Sequence, residues 1–255
     1  GVLSGGLQDS RAEARAVMNA ARQLLERGLG RPLANASFAV MHGYVKSMQR
    51  AGIGMVHTAR PFSYYRKVFY GGKSRAAVLK SLEGKRLIDV GCGYTPYADD
   101  SMFQACGEAG IEFYGIDPLI DDDISFGLKE RVLARATGGS GRFSSRAPGL
   151  ERALAGSAQA LPFEDNSVDE ILCSYLLFVW IEDEQTLAEI LAEFQRVLKP
   201  GACAKLYPLY EWRFMRFLNP LLKQSLSGFE VSQAFVHGHG DWRVTPSMLT
   251  TFTKL

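Results

Sequence analysis

The chain of 255 residues lacks any uninterrupted apolar run that approaches the roughly 20 residues of a membrane-spanning helix. Its first residues also lack the charged and then apolar layout of a signal peptide. Cysteine is scarce, and the four cysteines (Cys92, Cys106, Cys173 and Cys203) show no C-x-x-C spacing, which argues against a zinc site and a disulfide framework. We therefore expect no membrane span and a location in the reducing cytoplasm.

Hydrophobic residues make up 47% of the chain and charged residues 22%, which is typical of a globular protein with a buried core. The net charge of +2 hides an asymmetry. Residues 1–84 hold 13 Lys and Arg against 4 Asp and Glu, a balance of +9, whereas residues 85–255 carry −7. This pattern favours a basic surface beside an acidic domain, with attraction to an acidic substrate, RNA or a membrane surface as the alternative.

Residues 1–84 have helical periodicity and no strand pattern. Ser10 and Glu13 have the spacing of a capping box, and Gly28 and Gly30 end the segment that follows. The predicted helices cover residues 10–27, 34–49 and 61–82, the last of which Gly71 and Gly72 could interrupt. We predict a helical N-terminal cap or lid over residues 1–84, ahead of a second domain over residues 85–255.

From Lys85 onward short apolar strands alternate with helices, which predicts a parallel sheet. The last two strands have no room for a helix between them, so we expect an antiparallel hairpin at one edge. The expected fold is α/β, a Rossmann-like, doubly wound and mostly parallel sheet. Predicted strands lie at 87–90, 111–116, just before 156, and at 168–174, 202–208, 229–236 and 248–253. Predicted helices include those at 97–109 and 212–226. A Gly/Ser/Arg-rich loop at 138–145 is expected to be mobile or substrate-facing.

The stretch at residues 85–96 joins a short apolar strand to two glycines one residue apart and then to Pro96. Gly91 and Gly93 allow a ligand to approach the backbone, since no Cβ stands in the way. Pro96 suits a first helical turn, whose free N–H groups attract negative charge or lone pairs. A dinucleotide fingerprint needs a third glycine where Pro96 stands, so the spacing disfavours NAD.

Open α/β sheets bind their ligands at the carboxyl ends of the strands. Asp117 follows the second predicted strand, 24 residues after Gly93, and its carboxylate can accept hydrogen bonds from both hydroxyls of a ribose. A helix cap is the alternative role for this aspartate. The residues at the next strand ends are Ser157, Ala158, Gln159 and Ser174.

Four ordered motifs occur at these positions: Asp89-x-Gly91-x-Gly93, Gly115-Ile116-Asp117-Pro118, the segment 156–163, and the segment 196–201. In order and spacing they resemble the motifs of class I S-adenosylmethionine-dependent methyltransferases of the small-molecule type, over residues 85–255. The resemblance implies S-adenosylmethionine as cofactor and methyl transfer to a small-molecule acceptor.

The resemblance also implies roles at the methionine end of the cofactor. The backbone at Gly91, Cys92 and Gly93 would lie against the methionine part of the cofactor, and Asp89 would indirectly hold the ammonium group of that methionine. Ser174 would line the same end.

At the other end, the resemblance implies that Asp117 takes the ribose hydroxyls and that the backbone around Ala158 and Gln159 faces the adenine. The family commonly has Asp at the position of Ser157, where the carboxylate accepts the adenine amino group. A serine accepts a weaker hydrogen bond than a charged group does, so the departure predicts reduced cofactor affinity.

No catalytic base can be assigned from the sequence. A base is needed only if the acceptor must lose a proton, and no histidine lies between His57 and His237. These two histidines are weak candidates, better explained by surface or packing roles. His237, His239 and Asp241 lack a further ligand cluster, so no metal site is predicted.

Two groups of aromatic residues with interleaved arginines are predicted to form helix faces that pack in the core. Alternatively, they form the walls of a pocket for a planar or anionic acceptor. They lie at 62–70, with Arg66, and at 207–217, with Arg213 and Arg216.

Two other functions remain open. One is an RNA or protein methyltransferase that uses the basic N-terminal region, and the other is a non-catalytic partner protein of the same fold. The sequence does not indicate an oligomeric state.

Overall fold

A computed structural model describes residues 28, 30–52, 57–120, 125–136, 138–147, 149–209, 220–237, 241 and 243–255. The predicted first helix at residues 10–27 lies outside this part of the chain. So does most of a predicted helix at 212–226, of which the described portion is helical from Pro220. Among the described residues, no helix has the length and apolar character required to cross a membrane.

Helices and strands alternate through most of the described chain. The helices are α1 (Arg31–Arg50), α2 (Phe62–Val68), α3 (Arg75–Leu82), α4 (Met102–Glu108), α5 (Leu128–Ala136), α6 (Glu184–Val197) and α7 (Pro220–Leu226). The strands are β1 (Arg86–Val90), β2 (Glu112–Ile116), β3 (Ala153–Leu154), β4 (Val168–Ser174), β5 (Leu198–Tyr207), β6 (Phe229–Val236) and β7 (Ser247–Lys254). Short 3₁₀ turns cover Thr95–Tyr97 and Leu150–Arg152.

The seven strands form one sheet in the order β3-β2-β1-β4-β5-β7-β6. Strands β1 to β5 pair in parallel, while β7 runs antiparallel to both β5 and β6. The strand order reverses direction between β1 and β4, which places a crevice at their carboxyl ends. The predicted α/β fold with an antiparallel edge hairpin is confirmed.

The alternation of side chains along β1 decides which layer each residue meets. Ile88 and Val90 pack in the apolar cluster that contains α6, whereas Leu87 packs in the cluster that contains α2, α3 and α4. Asp89 shares the face of Leu87, because residues two apart along a strand point the same way. A carboxylate is thereby directed into the layer formed by the N-terminal helices.

Helix α6 covers the opposite face of the sheet. The Asp183 carboxylate caps it by accepting a hydrogen bond from the Thr186 N–H at 2.8 Å. Its buried residues recur at helical spacing and form one apolar stripe. They are Leu187, Ile190, Leu191, Phe194 and Val197.

The described helices of the N-terminal region occupy two places. Tyr65 and Val68 of α2 share a core cluster with Leu87 of β1, so α2 lies directly on the sheet. Helix α1 forms a separate cluster, in which Phe38 packs with Val179 beyond the end of β4. The division into a cap and a sheet domain at residue 84 stays a prediction.

Two ionic contacts hold α1 beside the strand ends. The His42 ring nitrogen Nε2 lies 2.7 Å from the Glu182 carboxylate, and Lys46 pairs with the same carboxylate. Glu182 stands in the loop between β4 and α6. These contacts fix α1 over the carboxyl end of β4.

One predicted helix, at residues 97–109, is shorter in the structure. Pro96 opens a 3₁₀ turn, and the backbone at Ala98 is extended. Helix α4 starts afresh at Ser101, whose hydroxyl accepts a hydrogen bond from the Gln104 N–H at 3.1 Å. The N-cap signal of Ser101 therefore decides where the helix begins.

The Gly/Ser/Arg-rich loop lies against the segment before α4. The Ser140 N–H donates to Asp100 Oδ2 at 2.9 Å, and the Ser140 hydroxyl donates to Asp99 Oδ1 at 2.6 Å. Arg142 pairs with Asp99 at 2.6 Å. None of the residues 138–145 lines the cleft described below.

Candidate functional site

A cleft with two lobes lies at the carboxyl ends of β1, β2 and β4. One lobe has a volume of about 220 Å³ and the other about 350 Å³. Both are lined by His57, Gly91, Asp117 and Leu176, so they meet at the loop after β1. We call the smaller one the α1 lobe and the larger one the β3 lobe. Further lining residues of the α1 lobe include Met41, Val45, Arg60, Asp89, Ser174, Tyr175 and Trp180.

The loop after β1 depends on its glycines. Gly91 and Gly93 have φ values of +73° and +55°, which L-residues other than glycine rarely adopt. A Cβ at Gly91 would lie 2.8 Å from Leu176 Cδ2, and one at Gly93 would lie 2.7 Å from the Thr58 carbonyl oxygen. The Leu176 side chain and the Thr58 backbone therefore leave no room for a side chain at these two positions. Both glycines face the cleft.

We expect Gly93→Ala to lower the free energy of unfolding by about 2 kcal/mol, because the new Cβ meets the Thr58 carbonyl and the left-handed backbone is strained. Gly110→Ala is the matched control, since Gly110 has φ +69° and nothing within 4 Å of the added Cβ. It should lose only about 1 kcal/mol. Urea denaturation measures both values, and equal losses would contradict a close contact at Thr58.

Cys92 lies between the two glycines and points toward β2. An added Cβ at Gly115 would be 2.9 Å from Cys92 Sγ and 2.9 Å from Pro96 Cγ, so only glycine at this place in β2 lets the loop pack closely. Burial raises the pKa of the Cys92 thiol, with the negative charges of Asp89 and Asp117 adding to the effect. Cys92 is therefore a neutral packing residue of the loop, which also lines the α1 lobe.

Asp117 lies at the junction of the two lobes. Its Oδ2 accepts a hydrogen bond from the Gly93 N–H at 2.9 Å, and its Oδ1 accepts one from the Leu119 N–H at 3.0 Å. His57 Nε2 lies 3.7 Å from Oδ1. Asp117 is thus held beside the glycine loop, and each of its oxygens keeps lone pairs for further donors.

Asp89 is buried at the base of the α1 lobe, where it accepts a hydrogen bond from the Tyr65 hydroxyl. Burial raises the pKa of Asp89 to about 7, and the negative charge of Asp117 adds to the rise. The Tyr65 hydrogen bond and the positive charge of Arg60 oppose it. Asp89 is thus a carboxyl group that changes its charge near neutral pH.

Ser174 ends β4 on the same face as Asp89. Its hydroxyl lies 3.1 Å from the Tyr64 hydroxyl, and the next residue, Tyr175, has φ +56°. A left-handed backbone at a tyrosine is uncommon and occurs often at functional sites. Burial raises the pKa of Tyr64, so this phenol stays protonated and can donate a hydrogen bond.

Arg60 lies between two aromatic rings in the α1 lobe. Its Cζ is 4.7 Å from the centroid of the Tyr64 ring and 4.7 Å from that of the Tyr175 ring. Among the described residues, no carboxylate or carbonyl oxygen lies within hydrogen-bond distance of the guanidinium. Aromatic faces stabilise the cation but leave its N–H donors unpaired. The lobe is therefore suited to an anionic group.

The arginine noted in the sequence, Arg66, has another role. Its Nη1 donates to the carbonyl oxygens of Gly72 and Lys73 at 2.9 and 3.1 Å, which holds the turn after α2. Arg213 and Arg216 lie outside the described residues. Tyr65 is both a core residue and a lining residue of the α1 lobe, so the two explanations considered for this aromatic segment are compatible.

The β3 lobe is mostly apolar, with Val90, Ile116, Leu176, Ile181 and Ile190 in its walls. The loop after β3 supplies its polar edge through Gly156, Ser157, Ala158 and Gln159. The Ser157 hydroxyl accepts a hydrogen bond from the Gln159 N–H at 3.2 Å. A flat apolar slot with a polar edge suits a planar heterocycle.

The two candidate histidines have different positions. His57 lines both lobes, as one face of the cleft. His237 packs its ring edge-on against Phe235, at 4.6 Å between centroids, and lines neither lobe. His239 lies outside the described residues. Within the described part of the chain, no group of three or more His, Cys, Asp or Glu could hold a metal ion.

Sequence reasoning placed Asp89, Gly91, Gly93, Asp117 and Ser174 around this cleft. It missed the contributions of Arg60, Tyr65 and Leu176, which come from segments without a recognisable motif. One signal could have indicated Tyr65: a carboxylate in a buried strand needs a hydrogen-bond donor from the layer that covers it.

Comparison with known proteins agrees with this geometry. Residues 88–204 match the sequence family described as "Methyltransferase domain". A demethylmenaquinone methyltransferase of Geobacillus kaustophilus is 33% identical over 119 residues, which cover 47% of this chain and 43% of that relative. The chain thus matches less than half the length of this curated relative.

Solved structures that are similar to this chain include two S-adenosylmethionine-dependent methyltransferases. The TehB-like protein of Corynebacterium glutamicum is 17% identical, with a TM-score of 0.44, and the match covers 75% of this chain and 94% of that protein. A protein of Methanosarcina mazei is 18% identical, with a TM-score of 0.42, and the match covers 70% of this chain and 97% of that protein.

The match over residues 88–204 covers slightly less than half of the chain and identifies this segment as a methyltransferase domain. Its ordered motifs and its strand order are similar to those of class I S-adenosylmethionine-dependent methyltransferases.

Proposed function

We propose that this protein transfers a methyl group from S-adenosylmethionine to a small-molecule acceptor bound in the α1 lobe. The observation that carries the proposal is the shape of the cleft. Its β3 lobe offers a slot for a heterocycle, and its α1 lobe is a second, smaller cavity beside Ser174 and Gly91. The cofactor would extend from the β3 lobe across the junction at Gly91, and its methionine end would meet the acceptor in the α1 lobe.

The residues present fit the cofactor. Asp117 would accept the ribose hydroxyls, and the slot formed by Ile116, Ile181 and Ile190 would take the adenine. The glycine loop with Ser174 would hold the methionine end, and the unpaired guanidinium of Arg60 would meet the carboxylate. When bound, the cofactor supplies an electrophilic methyl group on a sulfonium, which needs alignment and exclusion of water more than acid or base chemistry.

Residues of this chain supply the alignment and the exclusion of water. Met41 and Val45 of α1, with Trp180, form an apolar wall of the α1 lobe that keeps water away from the acceptor. The phenols of Tyr64 and Tyr65 have raised pKa values because both are buried, so they donate hydrogen bonds and do not remove protons. Exclusion of water is thus the main task of this wall.

A small acceptor is favoured over RNA because part of the described basic charge of the N-terminal region is paired with acidic residues of the rest of the chain. Basic side chains at 46, 67 and 75 form ion pairs with the acidic residues Glu182, Asp241 and Glu108. Nucleic-acid binding requires unpaired cations gathered on one surface. These three ion pairs attach the N-terminal region to the acidic domain instead. The similarity to the demethylmenaquinone methyltransferase of Geobacillus kaustophilus accords with the proposal.

The test uses S-adenosylmethionine labelled in its methyl group and a cell extract separated into small molecules, RNA and protein. We expect labelled product in the small-molecule fraction, and none with the Arg60→Met variant at cofactor concentrations that saturate the unsubstituted protein. Label found in RNA or protein alone would overturn the choice of acceptor. Absence of both labelling and cofactor binding would favour the non-catalytic partner protein.

A further inference from the structure

The β3 lobe lacks a carboxylate where its polar edge would meet an adenine. Asp117 is the one acidic residue among the described residues that line this lobe. It sits at the junction with the other lobe, where it binds the Gly93 and Leu119 N–H groups. Ser157 has a short side chain, and its hydroxyl already accepts the Gln159 N–H. A donor on the heterocycle would therefore need another acceptor.

The Gln159 side chain is held in a fixed orientation by α6. Its Nε2 donates to Glu189 Oε2 at 2.5 Å, while the other Glu189 oxygen accepts a hydrogen bond from Gln185 Nε2 at 2.9 Å. An ionised carboxylate has no hydrogen to donate, so the amide nitrogen must face Glu189. These hydrogen bonds also hold the pKa of Glu189 below its usual range.

The orientation of the amide nitrogen determines where the amide oxygen lies. With Nε2 directed at Glu189, Oε1 accepts a long hydrogen bond of 3.5 Å from the Ser157 hydroxyl at the edge of the β3 lobe, and its second lone pair stays available for another donor. Two oxygen acceptors, Gln159 Oε1 and Ser157 Oγ, are thus side by side where the lobe has its polar rim.

We propose that Gln159, oriented by Glu189, accepts the hydrogen bond from the adenine amino group and replaces the missing carboxylate at position 157. Gln159 is then a specificity-determining residue for the cofactor, and Glu189 is a positioning residue that acts through it. The inference rests on the cofactor site proposed above.

The experiment measures binding of S-adenosylhomocysteine and of its inosine analogue, which has a carbonyl in place of the amino group, by isothermal titration calorimetry. The unsubstituted protein should prefer the adenine compound by about tenfold, the size of one well-placed hydrogen bond. Gln159→Met should reduce this preference to about twofold, since methionine keeps the length but removes the amide oxygen. Glu189→Ala should give an intermediate preference, because the amide is then free to rotate.

Two further variants make the result decisive. Ser157→Asp in the Gln159→Met background should restore the preference for adenine, which a general loss of structure could not do. Gln233→Met, on β6 and away from the cleft, should leave it unchanged. An adenine preference that is equal in Gln159→Met and in the unsubstituted protein would overturn the inference. Failure of either compound to bind any variant would instead contradict the cofactor site itself.

Discussion

Replacing Asp117 by alanine should weaken binding of S-adenosylmethionine by at least about 100-fold. The carboxylate is buried at the junction of the two lobes and has lone pairs free for two hydroxyl donors. Hydrogen bonds to a charged group contribute about 1.5–3 kcal/mol each, so the loss of two corresponds to about 3 kcal/mol or more. A change of 1.4 kcal/mol is tenfold in affinity. Calorimetric titration of the cofactor measures the effect directly.

Asp117 also supports the loop, so binding must be separated from folding. The alanine variant leaves the Gly93 and Leu119 N–H groups without their acceptor, which should lower the melting temperature as well. A cofactor analogue without the two ribose hydroxyls provides the control. This analogue should bind the unsubstituted protein weakly, and Asp117→Ala should reduce its affinity only a little further. If Asp117→Ala reduces the affinity for both compounds by the same factor, the aspartate acts through the loop and not through the ribose.

The parts of this site that could be predicted from the sequence are those set by local backbone rules. Gly91 and Gly93 follow a short apolar run, and their positive φ values are the conformations that glycine adopts without penalty. Asp117 follows the next strand, and parallel strands bring their carboxyl ends to one edge. Local pattern and sheet topology were therefore enough to bring these three residues together.

The remaining parts depend on contacts between distant segments. Arg60 reaches the cleft because α2 packs on the sheet next to the end of β4, where Tyr175 receives the guanidinium on its ring. Nothing in the sequence around Arg60 distinguishes it from other basic residues of the N-terminal region. The ion pair between Lys46 and Glu182 likewise joins residues 136 positions apart. Such pairings are determined by tertiary packing, which periodicity does not encode.

The same limit applies to the loop after β3. The sequence showed a serine where a carboxylate is common, and this predicted weaker binding. The structure adds Glu189, which lies 30 residues further on and orients Gln159 beside that serine. A compensating contact of this kind becomes visible only once α6 is placed against the β3 lobe.

Asp89→Asn should stabilise the protein at pH 8 by up to about 4 kcal/mol and have little effect at pH 4.5. The pKa of Asp89 is raised to about 7 in the folded protein, against about 3.9 for an unfolded chain. The folded state thus binds the proton more tightly between these two values, and stability falls as the pH rises through them. The penalty is absent below pH 4 and complete above pH 7. Each pKa unit corresponds to 1.36 kcal/mol, which gives the upper limit for a shift of about three units.

Asparagine is the appropriate substitution because it has the shape of aspartate, cannot ionise, and still accepts the hydrogen bond from Tyr65. Urea denaturation of both proteins at pH 4.5 and pH 8 measures the difference, in which all other titrating groups cancel. Tyr65→Phe is the complementary variant: it removes the bond that lowers the Asp89 pKa, so its stability should continue to fall up to a higher pH than that of the unsubstituted protein. A stability difference between Asp89→Asn and the unsubstituted protein that is the same at both pH values would show that Asp89 is ionised throughout. The carboxylate would then be stabilised by Arg60 and Tyr65 more strongly than burial opposes it, and the charge of the α1 lobe would not change near neutral pH.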